Sequence, residues 1–187
     1  MAFLIRPGAA RAGANTVIVC LLIGVALSAQ AQPAALETNI KAVFLFNFSK
    51  YVSWPAMKMG ERSPADLKIC VTANDSFYAT LKDVVQGEEV YGKPLLPVAL
   101  DGLDEARTCQ ILFVGNAQSP DGRDWLAAVR NAQVLTVAEG ALTDETVIAF
   151  VRDNNRIRFD INRAAAARRG LNVSSKLLRL ARQVREK

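Results

Sequence analysis

The 187-residue chain contains no histidine. That removes the commonest general base, the commonest metal ligand and the one side chain whose ordinary pKa lies between about 5 and 8. Serine triads, histidine-bearing zinc sites and histidine pH switches are excluded together. The other groups that could do chemistry are few. Ser174 and Ser175 stand beside Lys176, but not at the spacing of a Ser-Lys nucleophile motif, and helix capping is the better use for them. Asp101, Asp104 and Glu105 cluster without a metal partner nearby, which is how solvated loop carboxylates look. Val114-Gly115-Asn116 follows an apolar run, as a phosphate-binding turn does, yet neither a P-loop nor a Gly-rich dinucleotide fingerprint surrounds it. No catalytic residue, metal set or cofactor is assigned, and a regulatory or binding protein is expected rather than an enzyme.

The start of the chain has the composition of an export signal. Arg6 and Arg11 precede an apolar stretch from Thr16 to Leu27, and Ala29-Gln30-Ala31 has the small-x-small pattern read by signal peptidase. The apolar run is shorter than the ~20 residues of a spanning helix. Cys20 lies in the middle of that run, without the small residues that lipid attachment wants before it. Residues 1–31 are therefore expected to be a cleaved signal peptide, with 32–187 a single domain. Cleavage lowers the formal net charge from +5 to +3. An exported chain of that charge gives no reason to expect nucleic acid as a partner.

Cys70 and Cys109 survive processing and meet an oxidising compartment, so a disulfide is the expectation and two buried thiols the alternative. Each opens an apolar run, KICVTA and CQILFVG. If those runs are neighbouring parallel strands the sulfurs come together. Closing such a loop is worth roughly 4 kcal/mol in the chain-entropy model.

Around these residues the chain alternates strands and helices. Strands are expected over 67–73, 94–100, 110–115 and 134–138, and helices over 76–86 and 121–131, with turns at Gly87 and Gly92. That alternation argues for an α/β layered domain with a mainly parallel sheet. A late hairpin adds antiparallel strands. With Asn154 and Asn155 as its two-residue turn, Ile148 faces Ile161, Phe150 faces Phe159 and Arg152 faces Ile157, which reads as a hairpin at the sheet edge. Asn162 can cap an Ala-rich helix over 163–169 that Gly170 ends. Ser174 then caps a terminal amphipathic helix, with Leu177, Leu178, Leu180, Ala181 and Val184 on one stripe and Lys176, Arg179, Arg182 and Arg185 opposite.

The first mature helix, expected over 36–52 with Trp54-Pro55 as its stop, is apolar almost all round. Ile40, Val43, Phe44, Asn47, Phe48 and Tyr51 make a core stripe, and Leu45, Phe46 and Val52 fall opposite. Such a helix must be covered on both sides, either within the domain or by another chain, a homodimer included. Leu45, Phe46, Tyr51 and Trp54 are the candidate partner contacts, with ordinary core as the alternative for each.

RFDIN, the Ala-rich turn and GLNVSSKLLRLA together resemble the closing signature of the YfiR-type family of secreted bacterial proteins. IKAVFLFNFSKYVSWP is similar to that family's opening helix, and LKICVTAND and CQILFVG fall where it has strands. The resemblance covers nearly all of the chain after the leader. It implies a periplasmic negative regulator that binds the periplasmic sensor region of an inner-membrane diguanylate cyclase and represses cyclic di-GMP synthesis. It also implies an outer-membrane lipoprotein that can draw the regulator away, favouring biofilm. Some members carry a further cysteine pair that this chain lacks, so no redox role tied to that pair is carried over. The alternative is a periplasmic small-molecule-binding sensory protein with its ligand in the crevice at the strand ends. A structural envelope dimer is a third reading.

Overall fold

The computed structural model describes residues 31–55, 64–72 and 75–186. Residues 1–30 of the expected leader lie outside them. Leu36–Lys187 forms one compact unit, built on an eight-stranded sheet.

The described residues open with helix α1, Ala31–Tyr51, which passes into the two-residue strand β1, Val52–Ser53. Strand β2, Leu67–Thr72, and helix α2, Asp75–Val85, come next. The short β3, Glu89–Val90, turns into β4, Lys93–Leu100, through Tyr91 and Gly92, both at positive φ. A 3₁₀ turn, Leu103–Thr108, leads to β5, Ile111–Asn116, then helix α3, Pro120–Ala128, and β6, Leu135–Glu139. The hairpin is β7, Ile148–Asp153, and β8, Arg156–Asn162. Helix α4, Arg163–Arg168, strand β9, Asn172–Val173, helix α5, Ser175–Leu180, and strand β10, Gln183–Arg185, complete the chain.

The sheet order is β10-β8-β7-β6-β5-β2-β4-β3. From β4 to β7 every pairing is parallel, while β7 with β8 and β3 with β4 are antiparallel. β1 and β9 form a separate antiparallel pair. The architecture is thus α/β with a mainly parallel central sheet flanked by helices. The crossover through α2 steps from β2 to one side and the crossover through α3 steps to the other. A common right-handed rule then puts the two helices on opposite faces. Accordingly Phe77, Leu81 and Val85 of α2 join α1, α4 and α5 in one core. Leu126 and Val129 join Cys70, Cys109 and Leu112 in the other. On β4, Pro94 lies opposite Glu89 of the two-residue edge strand β3, and Pro97 lies beyond that pairing, where a missing N–H on the outer side costs least.

The hairpin register is the expected one: Ile148 opposite Ile161, Phe150 opposite Phe159, Arg152 opposite Ile157. Asn154 and Asn155 take φ of 46° and 60°, the left-handed pair a type I′ turn needs. Asn162 Oδ1 accepts from Ala165 N at 2.9 Å, and Gly170 has φ of 67°. Both ends of α4 therefore behave as their residues dictate.

The hairpin is not, however, the edge of the sheet. α5 ends at Leu180, Ala181 turns extended, and Gln183–Arg185 runs parallel to β8 as β10. Val184 therefore leaves the expected helical stripe, and Arg182 and Arg185 leave its polar side. The free edge of β8 explains the change. Arg182 N bonds Phe159 O at 2.9 Å, and its guanidinium makes a two-pronged ion pair with the buried Asp160 carboxylate. Another helical turn would leave that edge and that buried acid without partners.

Cys70 and Cys109 form a disulfide with Cα atoms 6.0 Å apart. Cys70 is not at the start of its strand but midway along β2, opposite Leu112. Cys109 precedes β5, and the 3₁₀ turn folds it back over the sheet face to reach its partner.

Candidate partner-binding surface and charged cleft

Expected core and expected surface are partly exchanged on α1. Its sheet-facing side is Lys41, Ala42, Leu45, Phe48 and Ser49, followed by Val52 and Trp54. Leu45 is 0% exposed and Trp54 2%, so both proposed contact residues lie inside this chain's own core. Val43 and Asn47, expected inside, are turned outward; Val43 is 40% exposed, and Asn47 Nδ2 donates to the Val43 carbonyl at 2.9 Å. The rotation follows from what the sheet offers. Phe48 stacks on Phe150 and meets Phe159 edge-on at 5.1 Å, and Phe44 packs beside them. Seating those rings over the hairpin carries Leu45 inward with them.

The other two candidates are half-buried. Phe46 packs on the margin of the core with the Lys50 ammonium 3.6 Å from its ring centre. Tyr51 sits where α1 meets the small β1–β9 pair, its carbonyl accepting from Ser174 N at 2.9 Å. Tyr91 from the opposite edge of the sheet donates to the Val52 carbonyl at 3.0 Å, and burial raises its phenol pKa. With Leu36 at 63% exposure, the outer side of α1 presents Leu36, Val43 and Phe46 as a broken apolar stripe bordered by Lys50.

One arrangement escaped the sequence reading. Lys41 lies on the inner side of α1 with its side chain 9% exposed, held by Glu37 at 2.7 Å and Glu139 of β6 at 2.9 Å. Arg152 of β7 pairs with Glu37 from the other side. The signal was present as a lysine inside an apolar helix, four residues after a glutamate, but Glu139 and Arg152 join it only through the sheet. These residues stand at the wall of a cleft of about 720 Å³ whose lining also includes Phe150, Asp160 and Arg182. Its carboxylates are paired with cations of the same cleft, while Arg185 pairs with Asp144 outside the lining. A small polar ligand seated at Lys41 or Asp160 would have to exchange existing ion pairs.

The hydrogen bond from Lys41 holds the Glu37 carboxyl below its ordinary value near 4.5, with burial opposing and the Lys41 and Arg152 charges assisting. A depressed carboxyl stabilises the fold above its unfolded pKa and loses that contribution as pH falls through the folded value. Glu37→Gln is expected to cost roughly 1 kcal/mol at pH 7. The difference from wild type should shrink as pH falls below 4.5 and through the lowered folded value, measured as melting temperature against pH; a difference constant with pH would rule out the ion pair as its source.

The remaining sequence candidates have structural roles or none. Ser174 Oγ accepts from Leu177 N at 3.2 Å as the cap of α5. Asp101, Asp104 and Glu105 are exposed on or just before the 3₁₀ turn, and no metal-holding group of side chains occurs among the described residues. Gly115 lies within β5 at a register irregularity between Val114 and Asn116. No helix among the described residues is long and apolar enough to cross a membrane.

A family model for YfiR/HmsC-like proteins matches residues 38–182, from the first turns of α1 to the arginine that clasps Asp160. The match spans both cores, the disulfide and the hairpin, well over half of the sequence, and the chain belongs to the YfiR/HmsC-like family.

Proposed function

We propose that this protein is a periplasmic negative regulator that binds the periplasmic sensor region of an inner-membrane diguanylate cyclase and lowers cyclic di-GMP synthesis. The family match over residues 38–182 is the observation that carries the reading. It supports regulation of a diguanylate cyclase system in general, and the binding and repression are the step added here. Ser174 is used as a helix cap, and the chain contains no histidine.

The mechanism is a population shift. The regulator binds the inactive state of the cyclase better than the active one and shifts the balance by that difference alone. An outer-membrane lipoprotein that binds the regulator would relieve repression by mass action.

The contact surface proposed is the outer side of α1, centred on Phe46 and Tyr51, with Leu36 and Val43 beside them. A half-buried aromatic bordered by a cation is a common anchor in such interfaces. Phe46→Asp is expected to leave the domain folded and to weaken cyclase binding at least tenfold, a loss of about 1.4 kcal/mol. Pull-down of the sensor region together with a thermal melt checks this, and loss of the fold would place Phe46 in the core instead. Homodimerisation through the same side would appear as competition between self-association and cyclase binding.

The first experiment is intracellular cyclic di-GMP with the gene deleted, then restored with and without its leader. A rise reversed only by the exported form supports the reading. No change in cells expressing the cyclase would favour the small-molecule alternative. The charged cleft is the observation that favours that alternative, and ligand-induced thermal stabilisation would test it.

A further inference from the structure

Charge is divided very unequally along the mature chain. Residues 152–187 hold eleven Lys and Arg against three Asp and Glu, a net +8. Residues 32–151 hold ten against fifteen, a net −5. The fold converts this into a spatial division, because 152–187 supplies β8 and β10 at one edge of the sheet, with α5 leading directly into β10, while β3 and β4 lie at the other.

Of the three acids in the basic segment, Asp160 is buried under Arg182 and Glu186 is paired with Arg163. Asp153 remains, half-buried at the hairpin turn. Arg156, Arg158, Lys176 and Arg179 are exposed and make no ion pair among the described residues. Beside Arg179, Leu180 is 59% exposed at the end of α5.

We propose that this β8–α5–β10 edge docks on an anionic phospholipid surface. Four exposed cations without fixed partners read charge density rather than the positions of particular acceptors, and that suits a fluid layer of headgroups. The exposed Leu180 side chain beside Arg179 can enter the interface between headgroup and acyl chain. Single-stranded nucleic acid fits less well, because the aromatic residue of these elements, Phe159, is buried and offers no stacking surface. The net negative remainder of the domain is repelled by the same membrane, so the molecule is held edge-on with β3 and β4 pointing away. This is independent of the cyclase reading and would hold whichever protein partner is correct.

Flotation of the purified protein with vesicles tests it, comparing phosphatidylcholine alone with a mixture containing about a third phosphatidylglycerol. The expected result is binding to the anionic vesicles only, abolished at about 0.5 M salt, where charges are screened within a few Å. Each cation near such a surface is worth roughly fivefold in partitioning, about 1 kcal/mol. The combined variant R156Q, R158Q, K176Q and R179Q should therefore bind roughly a hundredfold more weakly or worse, while K82Q with R123Q, which also removes positive charge, should bind nearly as wild type. Absence of flotation by the wild-type protein would overturn the proposal, as would undiminished flotation by the fourfold variant. Retention on an immobilised acidic polypeptide through the same four residues, with no vesicle binding, would replace the lipid with an acidic protein partner.

Discussion

Phe48→Ala is expected to lower folding stability by about 3–5 kcal/mol. The ring is fully buried and is the hub that seats α1 on the hairpin, with Phe44 at 5.9 Å, Phe150 at 5.8 Å and Phe159 at 5.1 Å between ring centres. Truncation removes the transfer free energy of the ring, the aromatic contacts worth roughly 0.5–1.5 kcal/mol each, and leaves a cavity that the stiff strands beneath cannot close. For a domain of this size the melting temperature should fall by about 10 °C. Phe46→Ala, two residues earlier and half-buried, should cost about 1 kcal/mol. Urea unfolding of the two variants measures the contrast. Equal small losses would mean that α1 does not rest on Phe150 and Phe159.

Removing the Cys70–Cys109 crosslink should have an effect of similar size. The bond joins residues 39 apart in sequence, and in the chain-entropy model its loss frees the unfolded state by about 4 kcal/mol, with measured values often smaller. It also ties the 3₁₀ turn down over the second core, where Cys70 is 0% exposed and Cys109 2%. Cys70→Ala with Cys109→Ala should therefore unfold at a distinctly lower urea concentration than wild type, with little change in the slope of the transition beyond that of a more expanded unfolded state. Wild type under strong reductant should approach the double variant, and reductant should not affect the double variant at all. If reduced and oxidised wild type unfold together, the bond contributes nothing to stability.

Much of the fold was legible in the order of residues because it depends on local rules. Asn154 and Asn155 specify a turn that fixes the hairpin register, since the side-chain period of two allows no slip without turning Phe150 and Phe159 to the wrong face. Asn162, Ser174 and Gly170 act within three or four residues of themselves, so caps and stops could be assigned before any tertiary contact was known. Apolar runs of strand length separated by helical ones imply parallel crossovers, and neighbouring strands bring Cys70 and Cys109 together.

What the order of residues could not decide was anything set by a competing partner distant in sequence. α1 is apolar on nearly every side, so its own periodicity has no strong direction, and the aromatic rings on β7 and β8 choose which side goes in. Leu45 and Trp54 are core for that reason, and Phe46 and Tyr51 are the candidates left at the surface. The segment from Ala181 to Arg185 has helical spacing of its own, but the unfilled edge of β8 and the buried Asp160 carboxylate lie some twenty residues upstream and draw it into a strand. The ion-pair cluster of Glu37, Lys41, Glu139 and Arg152 spans 115 residues from its first member to its last. Residue type and local spacing thus determined most of the elements, their caps and the disulfide. Tertiary structure alone decided which side of a uniformly apolar helix is inside and which charges meet, because both depend on surfaces that exist only after the sheet has formed.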